Sequence, residues 1–395
     1  MRTVVVLSAF TLLLVLGSTE ASASPCNFQT PGTTMRLLAN CTTDVTIAIP
    51  NGATLDGQGY TITAIDPPGG HFLGAVVKNA GAVASVKNLK IAAVALTDVC
   101  DTGSDVLRGI QLVDASGSIV GNTITGINQG SSSTCGEGNA IVVSASPQDG
   151  THPATKPVLI AENRIVDAQQ LGISVVGDVS AKITGNRISG GVGAPSVRTG
   201  ISIGNGALGA IVLNSVTHPS STTTDSVGIR LSASNKVLIS GNALSGSSEG
   251  IFVISSCTTG APANQNQILL NSVRVLSEGV DLVSRSTTTS ICNPHVDRNV
   301  VIGNLIELVG APSAPTSGVR RCAGLRRPPS AKRLPHPGRR RKRRQAQRHQ
   351  ALWVRGLSER LRHEHHRRAK HGHSLNVFPR FKLRLREWGS DACLR

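Results

Sequence analysis

Glu249 and Glu278 each stand immediately before the glycine of a short Gly-apolar-x-apolar tetrad, in Glu249-Gly250-Ile251-Phe252-Val253 and Glu278-Gly279-Val280-Asp281-Leu282. If these tetrads are strands stacked in register, the two carboxylates become neighbours at about 4.8 Å, the spacing of paired strands. Like charges that close raise one pKa and attract a proton or a cation. Arg230 and Asp281 hold the same outward position of their own tetrads, with Phe252 between them. These five residues would make an acid/base or calcium-assisted site for a sugar. Carboxyl groups about 5–5.5 Å apart would favour a retaining glycoside hydrolase, and wider ones an inverting enzyme. The competing reading makes all five solvated residues at strand starts, with Arg230 too distant to help.

Two further groups of charged residues stand out. Arg164 and Arg187 follow an asparagine that recurs along the chain, and stacking them would give a basic step suited to an acidic glycan. The alternative pairs them with Asp167 and Asp178, as exposed arginines commonly are. Asp98, Asp101 and Asp105, with Glu137 beside Cys135, are dense enough to ligate Ca²⁺ through oxygen. Their spacing matches no EF-hand loop, which favours a surface excursion tied by a disulfide. No Ser/His/Asp set is recognisable, because His71, His152, His218 and His295 lie mostly in Gly/Pro-rich loops or beside proline.

The elements that must position these groups announce themselves by repetition. One unit reads Gly109-Ile110-Gln111-Leu112, Gly172-Ile173-Ser174-Val175, Gly200-Ile201-Ser202-Ile203 and Gly228-Ile229-Arg230-Leu231, with Ala140-Ile141-Val142-Val143 as a weaker copy. A second unit, apolar-x-x-Asn-x-apolar, is centred on Asn122, Asn163, Asn186, Asn214, Asn242, Asn271 and Asn304. The two alternate, and variable loops make the period loose. Units of four to six residues that alternate in and out are strands. A strand so short cannot bury its apolar face alone, but stacked coils form one continuous aliphatic column. Gly and Asn suit the corners, and stacked Asn amides can bond along the ladder.

This pattern resembles the right-handed parallel β-helix family, the pectate-lyase-like superfamily that includes periplasmic NosD-type repeat proteins. Leu55-Asp56-Gly57-Gln58-Gly59 looks like the opening common in such proteins. The resemblance implies an all-β solenoid over roughly residues 45–318 and carries no single chemistry, since the superfamily holds lyases, hydrolases, esterases, tailspikes and adhesins. Its galacturonan hydrolase signatures Gly-His-Gly and Arg-Ile-Lys are absent here, and so is a pectate-lyase arginine pattern. Phe252 is the one aromatic placed to serve as a platform for a pyranose. In this frame, equivalent loops of adjacent coils are neighbours, which motivates pairing Cys26 with Cys41, Cys100 with Cys135, and Cys257 with Cys292. Each closure would contribute about 3 kcal/mol on the chain-entropy account.

Composition sets the limits. The chain has 395 residues and a formal charge of +17, but residues 1–318 carry 16 basic and 19 acidic side chains against 24 and 4 in residues 319–395. The basic character belongs to the tail, so the body gives no ground for nucleic-acid binding. Arg2, the apolar run Val4–Leu16 and Ala21-Ser22-Ala23 predict a signal peptide over 1–23. An even number of body cysteines fits an oxidising compartment. Residues 24–44 are expected to cap the first coil. After Gly318-Val319 the pattern breaks: residues 319–395 contain no Ile or Thr, whereas 1–318 contain 26 Ile. The tail, with its Arg339–Arg344 run and scattered histidines, reads either as a cationic arm or, preferably, as sequence beyond a lost reading frame. The expectation is a secreted or periplasmic β-helix facing a polysaccharide or cell-surface glycan, as a binding or scaffold protein. It has no identifiable catalytic set, no cofactor and no membrane span in the mature chain. The alternative is a polysaccharide lyase or glycoside hydrolase, with Ca²⁺ as its conceivable cofactor.

Overall fold

The computed structural model describes residues 25–129, 137–147, 155–190, 198–218, 226–255, 262–283 and 296–309 with their side chains, and 317–322 as backbone. All regular structure among the described residues is β, in three sheets of eleven, ten and ten strands. Apart from an N-terminal hairpin, the neighbours within each sheet are strands from successive coils. One coil runs Val179–Thr184 in sheet I, Arg187–Ser189 in sheet II and Thr199–Gly204 in sheet III. The next repeats it as Leu208–Val212, Ser215–Thr217 and Val227–Ser232. Pairing between coils is parallel and in register. This is the expected solenoid.

The register explains the apolar pattern. Ile110, Ile141, Ile173, Ile201, Ile229 and Ile251 stack as one inward column in sheet III, each fully buried. Ile124, Ile165, Ile188, Val216 and Leu244 form the matching column in sheet II. Burying each such side chain contributes roughly 1.5–3 kcal/mol, so the core needs few aromatics. The glycine of the tetrad is demanded by close approach between coils. A Cβ on Gly172 would lie 2.6 Å from the Gly200 carbonyl oxygen, and one on Gly200 would lie 2.4 Å from Val216 Cγ1.

The recurring asparagines fill the corner between sheets I and II. Each is nearly or fully buried from Asn122 to Asn271; the Asn122 Oδ1 accepts from the Leu89 N–H, and from Asn163 onward each Oδ1 accepts from the backbone N–H and the amide of the asparagine one coil earlier. The spare amide hydrogen goes to a sheet I carbonyl, as from Asn186 to Ile160 at 2.9 Å. The residue before each asparagine turns the chain with φ between 56° and 68°. Gly121, Gly185, Gly241 and Gly303 do so without strain, while Glu162, Leu213 and Leu270 take the same conformation.

The two ends differ. At the start, Phe28–Gln29 runs antiparallel to Thr34–Leu37, and the Cys26–Cys41 disulfide ties this hairpin to the first sheet II strand, Cys41–Thr43. The ladders thus begin inside the segment expected to be a cap. At the other end Ser317–Cys322 pairs with Glu278–Val283, placing Arg321 in register with Leu282. That column is otherwise aliphatic, through Leu231 and Val253. The predicted signal peptide, Cys135, Cys257, Cys292 and residues 323–395 lie outside the described residues.

Candidate functional site

The outer face of sheet III brings together the five residues singled out by their spacing. Glu249 is in direct register with Glu278, and Phe252 with Asp281. Arg230 precedes Phe252 in the same column. The carboxylates of Glu249 and Glu278 therefore start from backbones one strand spacing apart, about 4.8 Å, and both side chains are half-buried. Arg230 and Asp281 are separated by two rungs, about 9.6 Å. The arginine instead sits over the Phe252 ring, 5.9 Å from its centroid. Phe252 is 8% exposed and Asp281 5%. With Val227, Ile254 and Val283, Phe252 forms a small apolar cluster on the outside of the coil. One ring face is thus taken by a cation, and little of the remainder is open to a sugar in this arrangement.

Sheet II carries the second group. Arg164 is in direct register with Arg187, and Thr123 and Lys90 continue the column toward the N-terminus. Lys90, Arg164 and Arg187 are exposed. The acidic residues considered as their partners are occupied elsewhere. Asp167 accepts from the Asn128 amide at 2.9 Å, and Asp178 accepts from the backbone N–H and hydroxyl of Thr155. Burial pushes the Asp167 carboxyl up, with the Asn128 bond opposing.

Residues 108–306 match the family model described as the right-handed β-helix region. The chain belongs to this family. It matches no curated protein and no solved structure. Membership in the right-handed β-helix family accounts for the coil and leaves the use of its outer faces to be argued from the residues.

In this β-helix the third group, the loop carboxylates, is engaged by backbone and side-chain partners within the protein. Glu137 is buried; its Oε1 accepts from the Asp101 N–H, and its Oε2 accepts from the Leu107 N–H at 3.0 Å and the Gln129 amide at 3.2 Å. Both oxygens of Asp101 lie 3.1 Å from His71 Nε2. Asp105 accepts from its neighbour Ser104. Among the described residues, no three His, Cys, Asp or Glu side chains converge on a point where a metal could sit. Cys100, in the same loop, is disulfide-bonded, and its expected partner Cys135 is outside the described residues. Glu137, Asp101 and Asp105 thus each have a protein partner, in a loop that also carries the disulfide-bonded Cys100.

Two members of this loop network escaped the sequence reading. His71 is recruited across the coil, with no local pattern to reveal it. Arg108 donates to the carbonyls of Gly103, Ser104 and Val106 at 2.7–2.9 Å. Burial lowers its pKa, and the charges of Glu137 and Asp105 oppose that shift. A signal for Arg108 did exist. It precedes the glycine of its tetrad, the very position that drew attention to Glu249 and Glu278.

The loop also gives a pH prediction. Asp66 accepts from the N–H of Phe72 at 2.8 Å and from the N–H and hydroxyl of Thr97 at 2.7 and 2.6 Å. Burial is the largest single influence and raises its pKa, but the Thr97 and Phe72 bonds and nearby His71 together outweigh it and hold the carboxyl below its ordinary value. A depressed folded pKa stabilises the fold above the unfolded carboxylate range, and that contribution is lost as pH falls through the folded value. Amide exchange at Phe72 and Thr97 is expected to accelerate below the ordinary carboxylate range. In Asp66→Asn it should be fast at neutral pH already and lose that acid dependence.

Proposed function

We propose that this β-helix is an exported protein that faces acidic polysaccharide, as a binding or scaffold module. The observation that carries the reading is the sheet II step. Arg164 and Arg187 are exposed and in register, and neither makes an ion pair among the described residues. Two like charges one rung apart repel each other, and an anionic partner relieves the repulsion. Export is supported by the Cys26–Cys41 disulfide, since such bonds persist in oxidising compartments. It is further supported by the leader-like residues 1–23. No helix among the described residues is long and apolar enough to cross a membrane.

Binding to polygalacturonate and to a neutral galactan of similar length tests this. The acidic polymer should bind more tightly, with affinity falling as salt rises. Arg164→Gln/Arg187→Gln should weaken it about tenfold, the range of one or two exposed charge-assisted contacts. Equal affinity for the neutral polymer would overturn the proposal, as would an unchanged double variant.

The register of Glu249 with Glu278 favours a second reading, a hydrolase or lyase using these two with Asp281 and Arg230. The same polymers assayed for cleavage with and without Ca²⁺ separate the classes. Turnover abolished by Glu249→Gln or Glu278→Gln establishes the enzyme, and binding without products favours the scaffold.

A further inference from the structure

We propose that the glycan lies along sheet II parallel to the coil axis, held by a track from Lys90 through Thr123 and Arg164 to Arg187. The inference rests on the acidic-glycan reading and adds the surface, the direction and the length of ligand engaged. The four residues occupy one outward column on four consecutive coils. Three rungs separate the first from the last, about 14 Å at the spacing of paired strands.

The direction follows from where charge repeats. Across a single rung the short sheet II strands offer little cation: Arg164 is followed outward by Val166, and Arg187 by Ser189. Up the axis, cationic side chains stand at rungs one, three and four, and Thr123 fills rung two. One carboxylate can serve both adjacent arginines, because its two oxygens offer about four lone-pair sites between them. Lys90, about 9.6 Å from Arg164, then requires a second anionic group farther along the same molecule. Thr125 and Ser189 line the neighbouring outward column and offer hydroxyls to sugar hydroxyls. Beyond Arg187 the column continues as Ser215 and Ala243, so the track stops there. Glu162, on the corner beside Arg164, makes no ion pair with it among the described residues. The body lacks the stacking aromatics of a single-stranded nucleic-acid channel: Phe28, Tyr60, Phe72 and Phe252 are its aromatic residues, and none belongs to a sheet II strand. A glycan is therefore the occupant that this face fits.

Carbodiimide coupling of bound oligogalacturonates to the full-length chain tests the track, because it joins a glycan carboxylate to an amine held against it. Peptide mapping should place the adduct on Lys90 at least tenfold over Lys182 and Lys236, which are also exposed but belong to other parts of the coil. Arg164→Gln/Arg187→Gln should cut Lys90 coupling about tenfold and leave coupling to tail lysines such as Lys342 unchanged. Coupling should rise with oligomer length until the ligand spans the track, then level off. If glycan is retained but couples to Lys90 no more than to Lys182 and Lys236, the track is wrong and the glycan reading survives. If no acidic glycan is retained at all, both fail. Protection of Lys90 by an oligodeoxynucleotide of equal charge, as strong as by glycan, would assign the surface to nucleic acid and overturn the proposal.

Discussion

Gly250→Ala is expected to destabilise the coil by about 3 kcal/mol or more, since forcing a group into a packed core is among the costly single changes. A Cβ at that position would meet Val273 Cγ1 at 2.3 Å and the Gly279 carbonyl oxygen at 2.4 Å. The second of these atoms is backbone of the next coil and is fixed by the parallel ladder between Glu249–Ile254 and Glu278–Val283. Relief requires the coils to move apart, which breaks register for every residue above. Gly70→Ala is the control, because its nearest neighbour would be a Pro67 ring carbon at 3.4 Å. Urea unfolding followed by circular dichroism should show a clear drop in midpoint for Gly250→Ala and almost none for Gly70→Ala. Equal midpoints would mean that the coils are not this close.

Asn214→Ala should be comparably damaging for a different reason. Asn214 is 1% exposed and sits mid-ladder. Its Oδ1 accepts from the Asn186 N–H and amide at 2.9 Å each, and its own amide donates to Asn242 Oδ1 and the Ile183 carbonyl at 3.0 Å. Alanine leaves two donors and an acceptor buried and unpaired, each costing about 1–3 kcal/mol. Asn304 closes the series and is only part-buried, so water can replace its side chain there. Asn304→Ala should therefore cost well under half as much as Asn214→Ala. A thermal melt of both variants checks the order, and equal losses would contradict a ladder satisfied from within.

The periodic parts of this molecule were legible because a solenoid converts sequence spacing into vertical contact. The tetrads gave Glu249 over Glu278 and Phe252 between Arg230 and Asp281, and the asparagine units gave Arg164 over Arg187, without knowledge of any loop. What periodicity cannot report is what packs onto the outside of a coil. Phe252 read as an outward ring on offer to a sugar, yet it is packed with Val227 and Ile254 beneath the Arg230 guanidinium. The loop carboxylates show a related limit. Their density suggested a cation, but a loop must satisfy its own backbone N–H groups, and Glu137 and Asp101 are taken up by Leu107, Gln129 and His71. Those partners come from positions whose separation follows no repeat.

The hairpin at Phe28–Gln29 bears on how such a rod behaves in a crowded solution. A stack of parallel strands presents a templating rim at each extremity, and a neighbour arriving with matching polarity could extend it into a fibre. On sheet I the outermost strand among the described residues at the starting rim runs the opposite way and is stapled down by a cystine, so an incoming copy meets a reversed pattern of donors and acceptors. Reduction of that one crosslink would loosen the guard, and the molecule would gain a route to end-on polymerisation.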